Sequence, residues 1–257
     1  MKTINNYITE KLKINKNKIG KGPELTLFPE TRDEFRVMAE IAIEENGNEC
    51  SLNHIDVSKL DDMTRLFSYE LSNFNGDISQ WDVSHVTNMN SMFKNSKFNK
   101  DISMWDTSNV KDMTEMFCNS KFNGDISRWD VSNVEDMEMM FFKSKFNKDI
   151  SKWNVGKVKN MESMFDRSNF NKDISEWDVS NVENMIMMFF KCNFNQDISS
   201  WNVSNVKYMV SMFAKNTKFN QDISKWKINP NCKTGYMFEN CNMPAGYKPL
   251  KDGARIE

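Results

Sequence analysis

All seven tryptophans of the chain fall in one series, Trp81, Trp105, Trp129, Trp153, Trp177, Trp201 and Trp226, with steps of 24 residues five times and then one of 25. Such a period is the mark of a stacked array in which each repeat is one structural unit burying its apolar face against its neighbours. The same period carries Phe74, Phe98, Phe122, Phe146, Phe170, Phe194 and Phe219, each followed by Asn, and the Met-Phe pairs from Met92-Phe93 to Met212-Phe213. One array can therefore absorb most of the 257 residues without a second core.

Written out, the unit is I-S-x-W-[DN]-V-S-x-V-x-x-M-x-x-M-F-x-x-[SC]-x-F-N-x-D. Its opening I-x-x-W-x-V has the spacing of the leucine-rich-repeat signature, with Trp and Met where Leu is usual. Trp81 and Val83 alternate with polar Gln80, Asp82 and Ser84, which predicts one short strand per coil, stacked in parallel. Val86, Met89, Met92 and Phe93 recur at three and four residues, which predicts a helical or 3-10 return arm on the same core. A degenerate coil at Leu52, Ile55 and Val57 brings the strand units to eight. The expected fold class is thus a repeat solenoid, leucine-rich-repeat-like.

The two ends differ in chemistry from the middle, as caps do. Thr31 followed by Glu34 is a capping-box pattern, and Phe35, Met38, Ala39, Ala42 and Ile43 then keep helical spacing until Gly47, so a capping helix is predicted within 29–47. The array is assigned to 48–229, with a C-terminal cap and tail at 230–257 that holds Pro230, Pro244 and Pro249. Residues 1–28 are rich in Lys and Asn and read as a mobile arm, with Ile4, Tyr7, Ile8 and Leu12 at the spacing of a short docking helix.

A net charge of -2 gives no basic bias of the kind that collects phosphates, so nucleic acid is not an expected partner. No apolar run is long enough to span a bilayer, and residues 1–21 show no signal-peptide pattern. A cytoplasmic location follows as the expectation, with cell surface or virion as the alternative. The five cysteines, Cys50, Cys118, Cys192, Cys232 and Cys241, have no paired spacing. The two histidines, His54 and His85, fall at different places in successive coils with no nucleophile pattern beside them. Neither an enzyme, nor a metal, nor a cofactor is expected.

The inward Trp, Met and Phe are read as core. The Asn after each Phe, and the Asp two residues later from Asp77 to Asp222, recur in every coil and are read as structural, making turn and inter-coil hydrogen bonds. Candidate partner-binding residues are the outward ones of the expected strands: Gln80, Asp82, Met104, Asp106, Arg128, Asp130, Lys152, Asn154, Glu176 and Asp178. Gln80, Met104, Arg128, Lys152 and Glu176 form one freely varied column, and the other five an acidic column beside a ladder of Ser84, Ser108, Ser132, Gly156 and Ser180. On a concave sheet these would form a contiguous binding patch of mixed charge. The Asp of the second column can also serve simply as acceptors for the nearby Ser.

The run F-N-x-D-I-S-x-W-D-V-S-x-V-x-x-M-x-x-M-F resembles the DUF285 repeat, also called the BspA-like leucine-rich-repeat surface protein family, over about residues 50–240. The resemblance implies a leucine-rich-repeat-like solenoid of the kind carried by bacterial and mycoplasmal surface lipoproteins and by viral genomes, with adhesion or protein binding as its role. The chain departs from the surface members in showing no signal peptide or lipobox pattern. The expected function is a non-catalytic interaction module binding an unknown protein or peptide through the concave face, with a structural or virion-associated spacer, or a surface adhesin if exported, as alternatives.

Overall fold

The computed structural model describes residues 27–256. The expected docking helix at Ile4, Tyr7, Ile8 and Leu12 lies outside them. Little of the described length is regular helix or strand. Helix α1 is Arg32–Asn46, short 3-10 turns occupy Tyr69–Leu71 and Ala245–Tyr247, and a hairpin of β1, Leu250–Lys251, and β2, Ala254–Arg255, follows the repeats. Thr31 caps α1, accepting the Glu34 N–H at 3.2 Å, while the Glu34 carboxylate accepts from Glu30 N–H at 3.0 Å. Both bonds serve N–H groups for which the helix has no acceptor of its own. Gly47, at φ +83°, ends the helix. Phe35 of α1 sets its ring edge on Phe67 and Trp81 at 5.8 and 5.3 Å, closing the first coil.

Eight coils lie side by side, joined by one chain of parallel bridges through Asp62, Asn88, Asp112, Asp136, Asn160, Asn184, Tyr208 and Lys233. From each bridge a ribbon runs on through the Met-Phe pair. In the second coil the N–H groups of Met89, Ser91, Phe93 and Asn95 donate to the carbonyls of Asp112, Thr114, Met116 and Cys118 in the third at 2.9, 2.8, 2.9 and 2.8 Å. The intervening Met92, Lys94 and Ser96 instead donate back three residues, to Met89, Ser91 and Phe93. This division goes with left-handed backbone at every fourth residue of the ribbon. Ser91 and Asn95 have φ of 54° and 59°, and a pair of left-handed residues four apart recurs in every coil as far as Tyr236 and Asn240.

The ladder sits where the sequence predicts a return arm, and that arm is a run of turns rather than helix. The predicted strand at Trp81 and Val83 does not form; residues 79–85 are turns and extended links without inter-coil bridges. The reason lies in the side chains around it. Asp77 accepts the Ser79 N–H at 2.9 Å and Asp82 the Ser84 N–H at 3.0 Å, so two carboxylates bend the chain on either side of Trp81 and satisfy donors that a strand would need.

Within the coils, Trp and two Phe per period form three stacked columns. Trp81 and Trp105 lie 6.2 Å apart with rings 6° from parallel, Phe93 and Phe117 5.6 Å apart at 1°, and Phe98 and Phe122 6.3 Å apart at 7°. Each such ring contributes about 1.5 to 3 kcal/mol by leaving water. Trp adds a hydrogen bond that no other ring here supplies: its buried indole N–H donates to a carbonyl of the preceding coil, as from Trp129 to Ile102 at 3.0 Å.

Two predictions follow for equilibrium urea unfolding. Trp129→Ala lowers stability by about 3 to 5 kcal/mol, and Trp129→Phe, which keeps a ring but leaves the Ile102 carbonyl only the Trp105 N–H, by about 1 to 2 kcal/mol. A Phe variant as stable as the wild type would show the indole bond to be without weight. Lys191, at φ 49°, tests the ribbon. Lys191→Val lowers stability by about 1 to 2 kcal/mol, whereas Lys191→Gly raises it by up to about 1 kcal/mol, because only Gly adopts that backbone without strain.

Candidate functional site

All ten candidate residues on the Trp side are exposed, Met104 to 73%, while the Trp and Val between them are buried. They stand in register on successive coils. The acidic column is fixed by its own turns: Asp106, Asp130 and Asp178 accept the N–H of Ser108, Ser132 and Ser180 at 3.0, 2.9 and 3.0 Å, and Asn154 that of Gly156 at 3.1 Å. Hydrogen bonds from the Ser side chains and N–H groups hold Asp82, Asp130 and Asp178 below the usual carboxylate range. These Asp are therefore structural acceptors as well as surface charges. The varied column of Gln80, Met104, Arg128, Lys152 and Glu176 is where the chemistry changes from coil to coil.

The hydrogen-bonded parallel strands expected beneath this patch are absent. The inter-coil bridges run instead along the Met-Phe ribbon, where the Phe of successive pairs are 5.4 to 5.8 Å apart, against 6.2 to 6.5 Å for four of the successive Trp pairs. The ten residues therefore stand on turns and extended links, not on a sheet.

One break in this face makes a hollow. Gly156 stands where Ser84, Ser108, Ser132, Ser180 and Ser204 stand in other coils, and beside it a cavity of about 280 Å³ is lined by Glu135, Lys157, Lys159, Asn181 and Glu183. A side chain at Gly156 would meet Asn154 Oδ1 at 3.2 Å. The rim is charged and paired: Lys159 Nζ lies 2.8 Å from Glu135, and Lys207 Nζ 2.6 Å from Glu183. Sequence reasoning named Asn154 and Asp178 on its border but missed the five lining residues; the signal was the single Gly in the Ser column.

Burial raises the thiols, with Cys118 pushed up to about 11, which keeps them protonated at neutral pH. Among the described residues no group of three or more His, Cys, Asp or Glu is placed to hold a metal ion. No helix among them is long and apolar enough to cross a membrane.

A different departure lies on the ribbon. Asp166 occupies a column that holds Ser68, Lys94, Cys118, Phe142, Phe190, Ala214 and Glu239 in other coils; it is 3% exposed, and its Oδ1 has no hydrogen-bond partner among the described residues. The Arg167 guanidinium, 3.6 Å from it, lies over the Phe142 and Phe190 rings at 5.7 and 5.5 Å. Burial outweighs Arg167, Lys143 and Lys191 and raises the carboxyl to about 6. A raised acid stabilises the fold most at low pH and loses that contribution as pH rises through the folded value. Asp166→Ala is therefore expected to match the wild type near pH 4 and exceed it by about 1 to 2 kcal/mol at pH 8, read from denaturation midpoints across that range. A constant difference between the two proteins would contradict a buried titrating carboxyl.

No curated protein and no solved structure matches the chain. The family model described as Mycoplasma protein of unknown function, DUF285, matches residues 36–145, 97–191 and 142–246. The three overlapping matches follow the coils along most of the array, and the chain belongs to the DUF285 family.

Proposed function

We propose that the chain is a non-catalytic interaction module, a solenoid of the leucine-rich-repeat type that binds a protein or peptide through its exposed Trp-side face. The solenoid reading is supported by the I-x-x-W-x-V spacing and by the chain of bridges that joins one position per coil. The binding reading rests on one observation. Gln80, Met104, Arg128, Lys152, Glu176, Ser200 and Lys225 each precede a buried Trp that fixes the backbone, yet six residue types fill these seven places. A rigid backbone presenting varied side chains loses little entropy when a partner docks, and its mixed charge penalises partners whose charges fall in the wrong place. The hollow at Gly156 gives this face a recess within the same surface.

Replacing Arg128, Lys152 and Glu176 together with Ala tests the reading. Stability changes by less than about 1 kcal/mol, since exposed charges contribute little to folding. Partners retained by the immobilised wild-type array, identified by mass spectrometry, are lost from the variant. Retention of the same partners by the triple variant would move the binding surface off this face.

A further inference from the structure

The ribbon ladder is polar in one direction. Along the Met-Phe run the N–H groups that leave the coil point to the higher-numbered neighbour and the carbonyls to the lower-numbered one, whereas just before the run the direction reverses, Lys111 N–H donating to the Thr87 carbonyl and Lys233 N–H to the Lys207 carbonyl. Such a stack has unlike ends, as a helix has. At the low end the carbonyls are unmatched by any coil, and there α1 supplies a cation: the Arg32 guanidinium donates to the Thr64 carbonyl at 3.0 Å. At the high end the situation is inverted. The carbonyls of Lys233, Gly235, Met237 and Glu239 accept from the seventh coil at 2.8, 3.0, 2.9 and 2.7 Å. The N–H groups of Thr234, Tyr236, Phe238 and Asn240 hold the same register as those of Met209, Ser211, Phe213 and Lys215, but donate to no described residue.

A row of open backbone donors at the positive end of aligned peptide dipoles attracts negative charge. The hairpin that follows brings cations to it. A cavity of about 290 Å³ at this end is lined by Thr234, Gly235 and Tyr236 from the ribbon and by Lys251, Ala254, Arg255 and Ile256 from the hairpin. Lys251 Nζ is anchored 2.7 Å from the Cys232 carbonyl, and Arg255 donates to the Lys248 carbonyl, so each is held at the cavity with further N–H groups to spare. Asp222 is an acid within electrostatic reach of Arg255. An uncharged extended strand would not complete the stretch from Thr234 to Asn240, because a strand alternates donors and acceptors along each side, whereas this stretch offers donors only and the Cys232 carbonyl before it is already taken by Lys251.

We propose that the open donor edge of the last coil is an oxyanion site, binding a phosphate group through the Thr234 and Tyr236 N–H groups and the side chains of Lys251 and Arg255. A dianion with several acceptor oxygens matches two cations and a row of N–H donors better than a single carboxylate does. This site is at the end of the stack and is independent of the Trp-side face, so neither reading depends on the other.

The test is a titration of the full-length protein with inorganic phosphate at constant ionic strength, followed by amide NMR and calorimetry. Saturable shifts centred on Thr234, Tyr236, Phe238 and Asn240 are expected, with acetate binding at least tenfold more weakly. The Lys251→Gln and Arg255→Gln double variant is expected to bind phosphate at least tenfold more weakly than wild type, and Lys159→Gln, on another face, within twofold of it. The wild-type shifts alone decide the matter if the double variant does not fold. Shifts that do not saturate, that spread over surface lysines, or that acetate reproduces at equal concentration would overturn the proposal.

Discussion

Everything in this fold depends on the one-way hydrogen-bonded ribbon that carries the Met-Phe pairs. Left-handed residues at every fourth position of the ribbon accompany a pattern in which every second N–H turns out toward the next coil and others fold back three residues. This satisfies the backbone without regular strand or helix, in a chain where each coil has few residues to spend on either. The Met and Phe of the same ribbon are buried, so the hydrogen bonds and the apolar columns fix the same spacing. Left-handed backbone at Ser, Glu, Met, Lys and Arg costs about 1 to 2 kcal/mol per residue and persists because four inter-coil bonds and a buried ring pair over-determine each ribbon.

The rest of each coil is held by short polar side chains acting as backbone substitutes. Asp77, Asp82 and Asn88 each accept the N–H two residues on, at 2.9, 3.0 and 2.9 Å, and the Ser96 hydroxyl accepts the Phe98 N–H at 3.1 Å. Asn75 reaches the next coil, accepting the Asn99 N–H at 2.9 Å, and the same bond recurs up to Asn195 and Asn220. Turns that would otherwise need solvent are thereby closed within the protein, which lets the corners stack in register. The invariance of the Asn75 and Asp77 columns is thus structural, and the variation nearby at Gln80, Met104, Arg128, Lys152 and Glu176 is free of that constraint.

The unlike ends follow from the same ribbon. Because the outgoing N–H groups of the Met-Phe run face one way, that run finishes in a row of acceptors at one end of the stack and of donors at the other. The chain treats the two differently, with Arg32 on the carbonyls and a hairpin bearing Lys251 and Arg255 beside the N–H groups. Closure of the apolar core is a separate matter: Phe35 covers the first rings, and Lys248 lies over Phe238 at 5.2 Å at the last.

Much was legible in the sequence because burial repeats with the period. The 24-residue step, the inward Trp, Met and Phe, the Thr31 cap, the Asn and Asp columns and the outward position of all ten candidate residues follow from which side chains water excludes and which turns they can make. What the sequence could not show was where the backbone pairs. Alternation at Trp81 and Val83 reports two faces, not a hydrogen-bonded strand, and three-residue spacing at Met89 and Met92 fits a ribbon of turns as well as it fits a helix. Asp77 and Asp82 decide the first by taking the nearby N–H groups, and inter-coil carbonyls decide the second by rewarding left-handed residues that no local propensity favours. The hollow at Gly156, the burial of Asp166 and the open donors of the last coil are all consequences of that pairing, and so exist only once the coils are stacked.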